Sequence, residues 1–359
     1  MLYLGIDQHR KQLTVCVRNE QGDVIIRRQV STEWKRVRAF LADIQRTAGE
    51  RGFVVIIEIC GFNDWLVKLL GEYGCKNIVL VQPEKRSKRK TDRRDANALS
   101  ETLWVNRERL LAGKRVQGLR CVEWPSEEEA SDRQITALRR NLGQSRTRTI
   151  NRIKHLLRKH NVEQECPTKG LDTIRGKKWL AQLTLNKIDR LEMDQLLAQW
   201  KLCDEQIEVV EKEIQQRQAQ SPAAAIVATI PGAGAYASLA LSSRVGSIER
   251  FARPGSLSNY WGITPGSRNS GEVKDRLGSI TKQGSAMARF ILGQLVMHVL
   301  RRDPWMKAWY GRIKRRRGAK IARVAVMRRL ATILWHMLKY QQPYVIGGPP
   351  RKKLPREGE

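Results

Sequence analysis

The chain has 359 residues and 41% of them are apolar, so it is long enough for two or three domains and too apolar to be disordered. Lys and Arg number 67 against 36 Asp and Glu, a formal net charge of +31 at pH 7. Such a surplus repels itself unless a polyanion is the usual partner, and nucleic acid is the default candidate. No stretch approaches the ~18 apolar residues of a membrane-spanning helix. The start, with a carboxylate at Asp7 and no basic segment, is unlike a signal peptide.

The six cysteines give no sign of a metal or disulfide framework. None forms a Cys-x-x-Cys pair, and no histidine pair lies at ligand spacing beside one. Reduced thiols in a cytoplasmic protein are therefore the expectation.

Strands and helices alternate over the first hundred residues. The patterns predict strands at 2–7, 13–17, 24–30, 54–59 and 77–81, and helices at 33–46, 64–73 and 92–105. The run at 54–59 is continuously β-branched, which is typical of a central strand buried on both faces. The order βββαβαβα predicts a layered α/β domain of the RNase H-like class.

A basic loop leads into the last of these helices. Residues 85–94 carry positive side chains that include Lys88, Arg89, Lys90, Arg93 and Arg94. A charge run is often only a solvated surface. Because this one adjoins two acidic residues discussed below, we favour contact with nucleic-acid phosphates.

A second, helical unit follows. Residues 131–160 predict a basic helix, whereas 187–213 contain eight acidic and four basic residues. The acidic stretch carries apolar residues at heptad spacing, namely Met193, Leu196, Trp200, Cys203, Ile207, Val210 and Ile214. This seam predicts a coiled coil that joins two copies of the chain, and the alternative is a long helix packed on its own domain.

Residues 226–345 predict a third, mainly helical unit. Residues 230–234, Ile-Pro-Gly-Ala-Gly between apolar turns, have the pattern of a helix-hairpin-helix, whose backbone approaches a phosphate. A Gly/Ser-rich stretch (262–285) and an apolar helix (288–300) come next. Residues 312–329 hold nine basic residues and no acid, and we assign nucleic-acid contacts to Arg315, Arg316 and Arg317. The tail, 346–359, is expected to be disordered.

Four carboxylates are candidates for one metal centre. Asp7 ends the first strand, Glu58 lies near the end of the central strand, and Asp92 and Asp95 share one helix face. In an RNase H-like sheet the first and fourth strands are neighbours and the last helix crosses them. Four such anions need cations, and oxygen-only ligands suit Mg²⁺ or Mn²⁺.

Each acid also has a structural alternative. Asp92 has the position of a helix N-cap, and Asp95 can pair with Arg94 or another nearby base. Glu58 stands in an apolar run and is costly to bury without a partner. We therefore favour a shared site, with two ions able to clamp a phosphodiester. His9, two residues beyond Asp7, is expected at the surface.

A serine in the Gly/Ser-rich stretch is a candidate nucleophile. A hydroxyl attacks a phosphodiester once its proton is made easier to remove, which a metal can do. Composition does not choose among Ser267, Ser270 and Ser279. The stretch is flanked by cations suited to a phosphate, namely Arg268, Lys274, Arg276 and Lys282.

The motifs resemble those of a known family. Gly5-Ile6-Asp7, Ile57-Glu58-Ile59-Cys60-Gly61 and Lys90-Thr91-Asp92-Arg93-Arg94-Asp95-Ala96 look like the three acidic motifs of the DEDD transposases of insertion sequences. That is the IS110 family, with its IS1111 branch and the Piv-type invertases. The segments 230–234, 260–265, 270–271 and 278–282, together with Phe251, look like the family's C-terminal transposase domain. The match spans 1–340 in order.

The resemblance implies a RuvC-like domain at 1–115, a helical connector at 125–220 and a serine transposase domain at 226–345. It implies a metal at the four acids and Ser270 as nucleophile. It also implies a guide RNA from the same element, donor and target DNA, and homodimers or homotetramers in a bacterial or archaeal cytoplasm, at the nucleoid. Arg268-Asn269 departs from other members, so contacts there do not transfer.

The sequence thus predicts an RNA-guided recombinase that moves its own insertion sequence. The first alternative is a RuvC-like junction endonuclease with water as nucleophile. The second is a non-catalytic nucleic-acid-binding protein, for which the positive charge alone would suffice.

Overall fold

The computed structural model describes residues 1–82, 92–267 and 277–348, and of 92–94, 267 and 277 it describes the backbone only. The chain divides into two compact units, Met1–Trp124 and Pro125–Glu359. The first is a mixed α/β unit and the second is mostly helical. This division agrees with the expected order of an α/β nuclease-like domain followed by a helical region.

A six-stranded sheet organises the first unit. Its strands are β1 (Leu2–Gln8), β2 (Gln12–Arg18), β3 (Val24–Ser31), β4 (Phe53–Glu58), β5 (Cys75–Val81) and β6 (Cys121–Val122). Their spatial order is β3-β2-β1-β4-β5-β6. β1 is antiparallel to β2 but parallel to β4, as are β4 and β5 to each other. The predicted adjacency of the first and fourth strands is confirmed.

Helices cover both faces of this sheet. The helices are α1 (Trp34–Ala48), α2 (Asp64–Glu72), α3 (Asp92–Val105) and the short α4 (Arg107–Leu111). One core holds the apolar faces of α1 and α2 against the sheet, and a second holds those of α3 and α4 on the other side. Residues 53–57 of β4 are all buried, which explains the absence of polar alternation in this strand.

Helices, three of them with more than 30 residues, make up most of the described part of the second unit. They are α5 (Glu127–Lys159), α6 (Ile174–Gln182), α7 (Lys187–Gln220), α8 (Pro222–Ala228), α9 (Ala235–Val245), α10 (Pro254–Tyr260), α11 (Ala286–Arg302) and α12 (Pro304–Lys339). A two-stranded ribbon, β7 (Pro265–Ser267) and β8 (Leu277–Ile280), precedes α11. α7 extends to Gln220, and Ser221 alone separates it from α8 by capping the next helix.

The heptad seam of α7 packs against its own chain. Met193, Leu196 and Trp200 are buried in one cluster with α5 side chains, and Val210 and Ile214 in another with α9. The prediction that this seam joins two copies of the chain is therefore wrong for the described structure. A heptad pattern shows that a helix face is buried, but it does not show whether the partner is the same chain.

The two long helices α5 and α7 form an antiparallel pair that packs through apolar residues and is flanked by opposite charges. Three ion pairs run along it, from Arg139 to Glu211 (2.6 Å), Arg146 to Asp204 (2.5 Å) and Arg152 to Glu192 (3.6 Å). The acidic stretch thus neutralises much of the basic helix inside the chain.

Asp189 joins the first turn of α7 to the end of α5. Hydrogen bonds, from Lys159 first and then from His160 and Asn186, lower the pKa of Asp189 to about 2, although desolvation opposes the shift. A lowered carboxyl pKa stabilises the fold above its unfolded value near 3.8, and that contribution disappears as the pH falls to about 2. We expect Asp189→Asn to be less stable than the wild type at pH 5, with the gap closing by pH 2. Urea unfolding across this range measures it, and a gap independent of pH would contradict the assignment.

Gly232 lies in the turn between α8 and α9 with a φ of 86°. A Cβ there would approach the Cβ of His298 on α11 to 2.4 Å, so this glycine is required by packing. Its predicted contact with a phosphate stays a prediction.

The segment after α12 is tied to a buried acid. Asp303 caps α12 and is fully buried, and it accepts hydrogen bonds from the Tyr344 hydroxyl (2.7 Å) and the Gly347 backbone N–H (2.9 Å). Gly347, predicted to be disordered, is therefore held, because a buried carboxylate needs donors. The rest of the predicted tail, 349–359, lies outside the described residues. None of the helices that the structure describes is long and apolar enough to cross a membrane.

Candidate functional site

The direction of α3 across the sheet decides which residues meet. Three hydrogen bonds join α3 to β2 and the turn after it, from Cys16 to Asn97, from Arg18 to Ser100 and from Trp104 to the carbonyl of Glu20. The residue numbers rise together along α3 and along β2 with its turn. The helix α3 therefore runs parallel to β2 and antiparallel to β1. The first turn of α3 therefore lies near the carboxyl end of β1, where Asp7 stands.

Asp7 and Glu58 lie side by side at the ends of adjacent strands. Ile6 pairs with Ile57, and the two acids are the next residues along β1 and β4. Neighbouring strands are about 4.8 Å apart and their side chains alternate between faces. Because Ile6 and Ile57 belong to the core under α1 and α2, Asp7 and Glu58 point to the opposite face, which α3 covers.

Asp95 and the backbone of Asp92 lie on the sheet-facing side of α3, at the end of the sheet where Asp7 and Glu58 lie. Ala96 and Leu99 face the sheet, and the two acids stand one turn before them, at positions i−4. The structure thus brings Asp7, Glu58, Asp95 and the start of α3 to one end of the sheet. Among the side chains that it describes, no group of three or more His, Cys, Asp or Glu is close enough to hold a metal, and the Asp92 side chain is not among them.

The donor chemistry of this end fits a divalent cation. Its ligand candidates are carboxylate oxygens, which Mg²⁺ and Mn²⁺ prefer, and the Asp7 side chain is only 14% exposed. The residue types present at this end therefore suit a divalent metal ion.

His9 contacts Asp7, which the sequence reasoning missed. Its Nε2 lies 3.1 Å from Asp7 Oδ2, although the ring is 42% exposed, as expected of a surface residue. The two residues flank the end of β1, so their side chains meet where the strand turns.

Asn63 fixes the ends of β1 and β4, a second feature that the sequence reasoning missed. Its side chain is buried, donates to Gln8 Oε1 (2.8 Å) and the carbonyl of Glu58 (3.3 Å), and accepts from the backbone N–H of Cys60 (2.7 Å). An Asn directly before a helix is typical of an N-cap, but this side chain makes no capping bond to α2. The network holds the backbone that carries Asp7 and Glu58.

Gly5 lets α3 lie directly on β1. A Cβ at this position would stand 2.3 Å from the carbonyl oxygen of Ala96 and 2.4 Å from the backbone nitrogen of Ser100. Gly5→Ala must therefore push α3 away from the sheet, which moves Asp92 and Asp95 from Asp7. We expect a loss of about 1–3 kcal/mol in unfolding free energy and a loss of DNA strand cleavage.

Thermal unfolding and a strand-cleavage assay measure this prediction. Gly71→Ala is the matched control, since Gly71 lies within α2 and a Cβ there meets nothing within 4 Å. Wild-type stability and cleavage in Gly5→Ala would contradict the close packing of α3.

In the second unit, two glycines fix the base of the β7–β8 ribbon. A Cβ on Gly262 would lie 2.1 Å from the carbonyl oxygen of Gln283, and one on Gly284 would lie 1.9 Å from that of Tyr260. Arg289 donates to the carbonyls of Trp261, Gln283 and Gly284. These hydrogen bonds hold the two chain segments at the base of the ribbon together. Lys282, a predicted phosphate contact, lies here in the left-handed region with a φ of 55°.

Several predicted site residues lie outside the described residues. They are Ser270 and the cations Arg268, Lys274 and Arg276 of the Gly/Ser-rich stretch, and Lys88, Arg89 and Lys90 of the basic loop. Only the backbone is described for Arg93, Arg94 and Ser267, whereas Ser279 lies exposed on β8. Arg315, Arg316 and Arg317 are exposed on α12, one turn or less before its kink at Gly318.

Comparisons with known proteins identify the same two regions. A family model described as "Transposase", the DEDD domain of the IS110 family, matches residues 4–162. A second, "Transposase IS116/IS110/IS902 family", matches residues 224–311. The first therefore contains all four acids, and the second contains the ribbon and Ser270.

Two curated relatives match most of the chain. The "Transposase for insertion sequence element IS1111A" of Coxiella burnetii (strain RSA 493 / Nine Mile phase I) is 28% identical over 362 residues, which cover 96% of this chain and 91% of that protein. The "Putative transposase y4pF/y4sB" of Sinorhizobium fredii (strain NBRC 101917 / NGR234) is 24% identical, covering 81% of this chain and 74% of that protein. With both family domains present in order, the chain belongs to the IS110 family of transposases.

Proposed function

We propose that this transposase is an RNA-guided DNA recombinase that cuts and rejoins strands through a phosphoserine on Ser270. The placement of Asp7, Glu58 and the start of α3 at one end of the sheet carries the proposal. In it, residues 1–115 form the metal-dependent domain, 125–220 the connector and 226–345 the serine domain. The family domain indicates a divalent metal ion, and we propose Mg²⁺ or Mn²⁺.

The four acids Asp7, Glu58, Asp92 and Asp95 would hold the metal, which would polarise the scissile phosphate. Asn63 and Gly5 keep the backbone of these acids in place. A bond forms between Ser270 Oγ and phosphorus as the bond from phosphorus to the 3′ oxygen breaks. The serine proton passes to that oxygen, leaving a free 3′-hydroxyl. Attack by the 3′-hydroxyl of another strand reverses the step and rejoins DNA without ATP.

A RuvC-like junction endonuclease is the second candidate. The same end of the sheet supports it, since the four acids lie in the first unit and water would replace the serine as nucleophile. The two candidates differ in one product, because only the serine route joins the protein covalently to DNA.

The proposed partners are donor and target DNA and a noncoding RNA from the same element, with a homodimer or homotetramer as the active form. Exposed cations such as Arg315 and Arg316 on α12 support a polyanion. If six to ten phosphates are neutralised, affinity should fall ~10³–10⁵-fold between 50 and 200 mM salt.

The RNA partner is tested by purifying the full-length chain without nuclease. We expect a discrete bound RNA, and recombination of donor and target DNA that stops after RNase treatment and resumes when that RNA is added back. Recombination by protein and DNA alone would contradict the guide and leave a protein-directed transposase.

A further inference from the structure

A cleft in the helical unit collects cations that no acid among the described residues neutralises. It has a volume of ≈ 330 Å³ and is lined by Ala137, Arg140, Asn141 and Gln144 of α5, Arg244 of α9 and Met287 of α11. Every polar lining side chain is a hydrogen-bond donor, and none is a carboxylate. This contrasts with the rest of α5, whose Arg139, Arg146 and Arg152 are paired with acids of α7.

Arg244 is held in place as a cation inside the protein. Its guanidinium donates to Thr136 Oγ1 (3.0 Å) and to the carbonyls of Ala240 (3.0 Å) and Arg133 (3.2 Å). Burial, and then the neighbouring charges of Arg133 and Arg140, lower the pKa of Arg244 to about 10. Neutral acceptors thus orient the group, but in the described part of the chain no carboxylate balances its charge.

Arg140 is the second cation of the cleft, and its N–H donors have few hydrogen-bond acceptors. Its Nε is buried without a hydrogen-bond partner among the described residues, and its Nη1 reaches only the Met287 sulfur, at 3.9 Å. The guanidinium lies over the Phe290 ring, 4.7 Å from the centroid. A phosphate in the cleft would supply the missing negative charge to the part of the guanidinium that lines it.

The Phe290 ring lies beside Arg140 and is 38% exposed. An exposed aromatic next to a phosphate-binding cation is the arrangement that stacks an unpaired base while the backbone is held by charge. A duplex hides its bases and cannot use such a ring. The arrangement therefore favours a single strand.

We propose that the Arg140–Arg244 cleft binds a backbone phosphate of a single-stranded nucleic acid, with the adjacent base on Phe290. The inference rests on the proposed function only for the presence of a polyanion. Its ligand is either an unpaired RNA segment or a single DNA strand, which share this chemistry.

Binding of three labelled probes to the full-length protein tests the proposal: a U₂₀ RNA, a dT₂₀ DNA and a 20-bp DNA duplex, between 50 and 200 mM salt. Arg140→Gln should weaken single-strand binding about tenfold, the effect of one charge-assisted hydrogen bond. It should also make the salt slope shallower by about 0.7. Arg152→Gln is the matched control, since it removes the same charge from the same helix where Glu192 already pairs it. We expect it to bind like the wild type.

A second pair of variants avoids the buried groups. Gln144→Glu places a negative charge on the exposed wall of the cleft, and Gln134→Glu places one at an exposed position of α5 outside it. We expect only Gln144→Glu to weaken binding, with both proteins folded by circular dichroism. A larger loss of affinity for U₂₀ than for dT₂₀ identifies RNA as the ligand. A larger loss for dT₂₀ identifies DNA.

Equal losses in each variant and its control would overturn the proposal, since net charge alone would then explain them. An equal loss on the duplex would overturn the single-strand assignment. These outcomes are separate from the recombinase proposal, because Asp7→Asn should lose cleavage and keep the wild-type salt slope.

Discussion

Asp7→Asn should abolish strand cleavage and leave nucleic-acid binding equal to the wild type or tighter. Asp7 lies one residue before the end of β1, beside Glu58 of β4, so both would donate oxygens to one metal. Removing one ligand charge weakens the ion, whereas less negative charge near DNA favours phosphate contact. We expect a rate loss of more than about 100-fold, since even partners one step removed from a metal cost 10–100-fold. Glu58→Gln, Asp92→Asn and Asp95→Asn should behave alike, as measured by cleavage of labelled DNA in Mg²⁺.

Asp43→Asn is the matched control, because Asp43 is exposed on α1, on the other face of the sheet from α3. It should cleave at the wild-type rate. A fully active Asp92→Asn protein would contradict the shared site.

Ser270→Ala should bind guide and DNA yet form no covalent adduct. The family domain at 224–311 contains Ser270, and Gly271 beside it allows a backbone to approach a phosphate closely. A serine route keeps the phosphodiester energy in the protein–DNA bond, so rejoining needs no cofactor. The sequence has no Gly-x-x-x-x-Gly-Lys-Ser/Thr loop for ATP, which favours this route.

Denaturing gels with end-labelled DNA measure the adduct, and Ser267→Ala and Ser279→Ala are the controls. Both stand on the strands of the ribbon, and both should keep adduct. Cleavage at the wild-type rate by Ser270→Ala would identify water or another serine as the nucleophile and favour the endonuclease.

The adjacency of β1 and β4 and the end of the sheet that carries the acids could be predicted from the sequence, whereas the short β6 was not predicted. The buried run of β4 depends on local burial, which residue types report directly. In the sequence, the only sign of the close contact between α3 and β1 is the glycine at position 5. The hydrogen-bond network of Asn63 has no sign in the sequence, because it joins Asn63 to Gln8, 55 positions away.

The partner of α7 could not be predicted. The heptad pattern reported a buried face, and the acidic composition reported an oppositely charged neighbour, but either could lie in the same chain or in another. The ion pairs between α5 and α7 identify the partner as the same chain, but they are visible only in the folded structure. The same pairing shows which arginines of α5 are left for a nucleic acid, something that a count of charges conceals.

Anomalous diffraction decides whether Asp7, Glu58, Asp92 and Asp95 share a divalent ion at one end of the sheet. A crystal of the protein is grown with Mn²⁺ and measured at the manganese absorption edge. We expect an anomalous peak within coordination distance of carboxylate oxygens of Asp7 and Glu58, and its loss in Asp7→Asn. A peak that avoids these side chains, or one that persists unchanged in Asp7→Asn, would contradict the shared site.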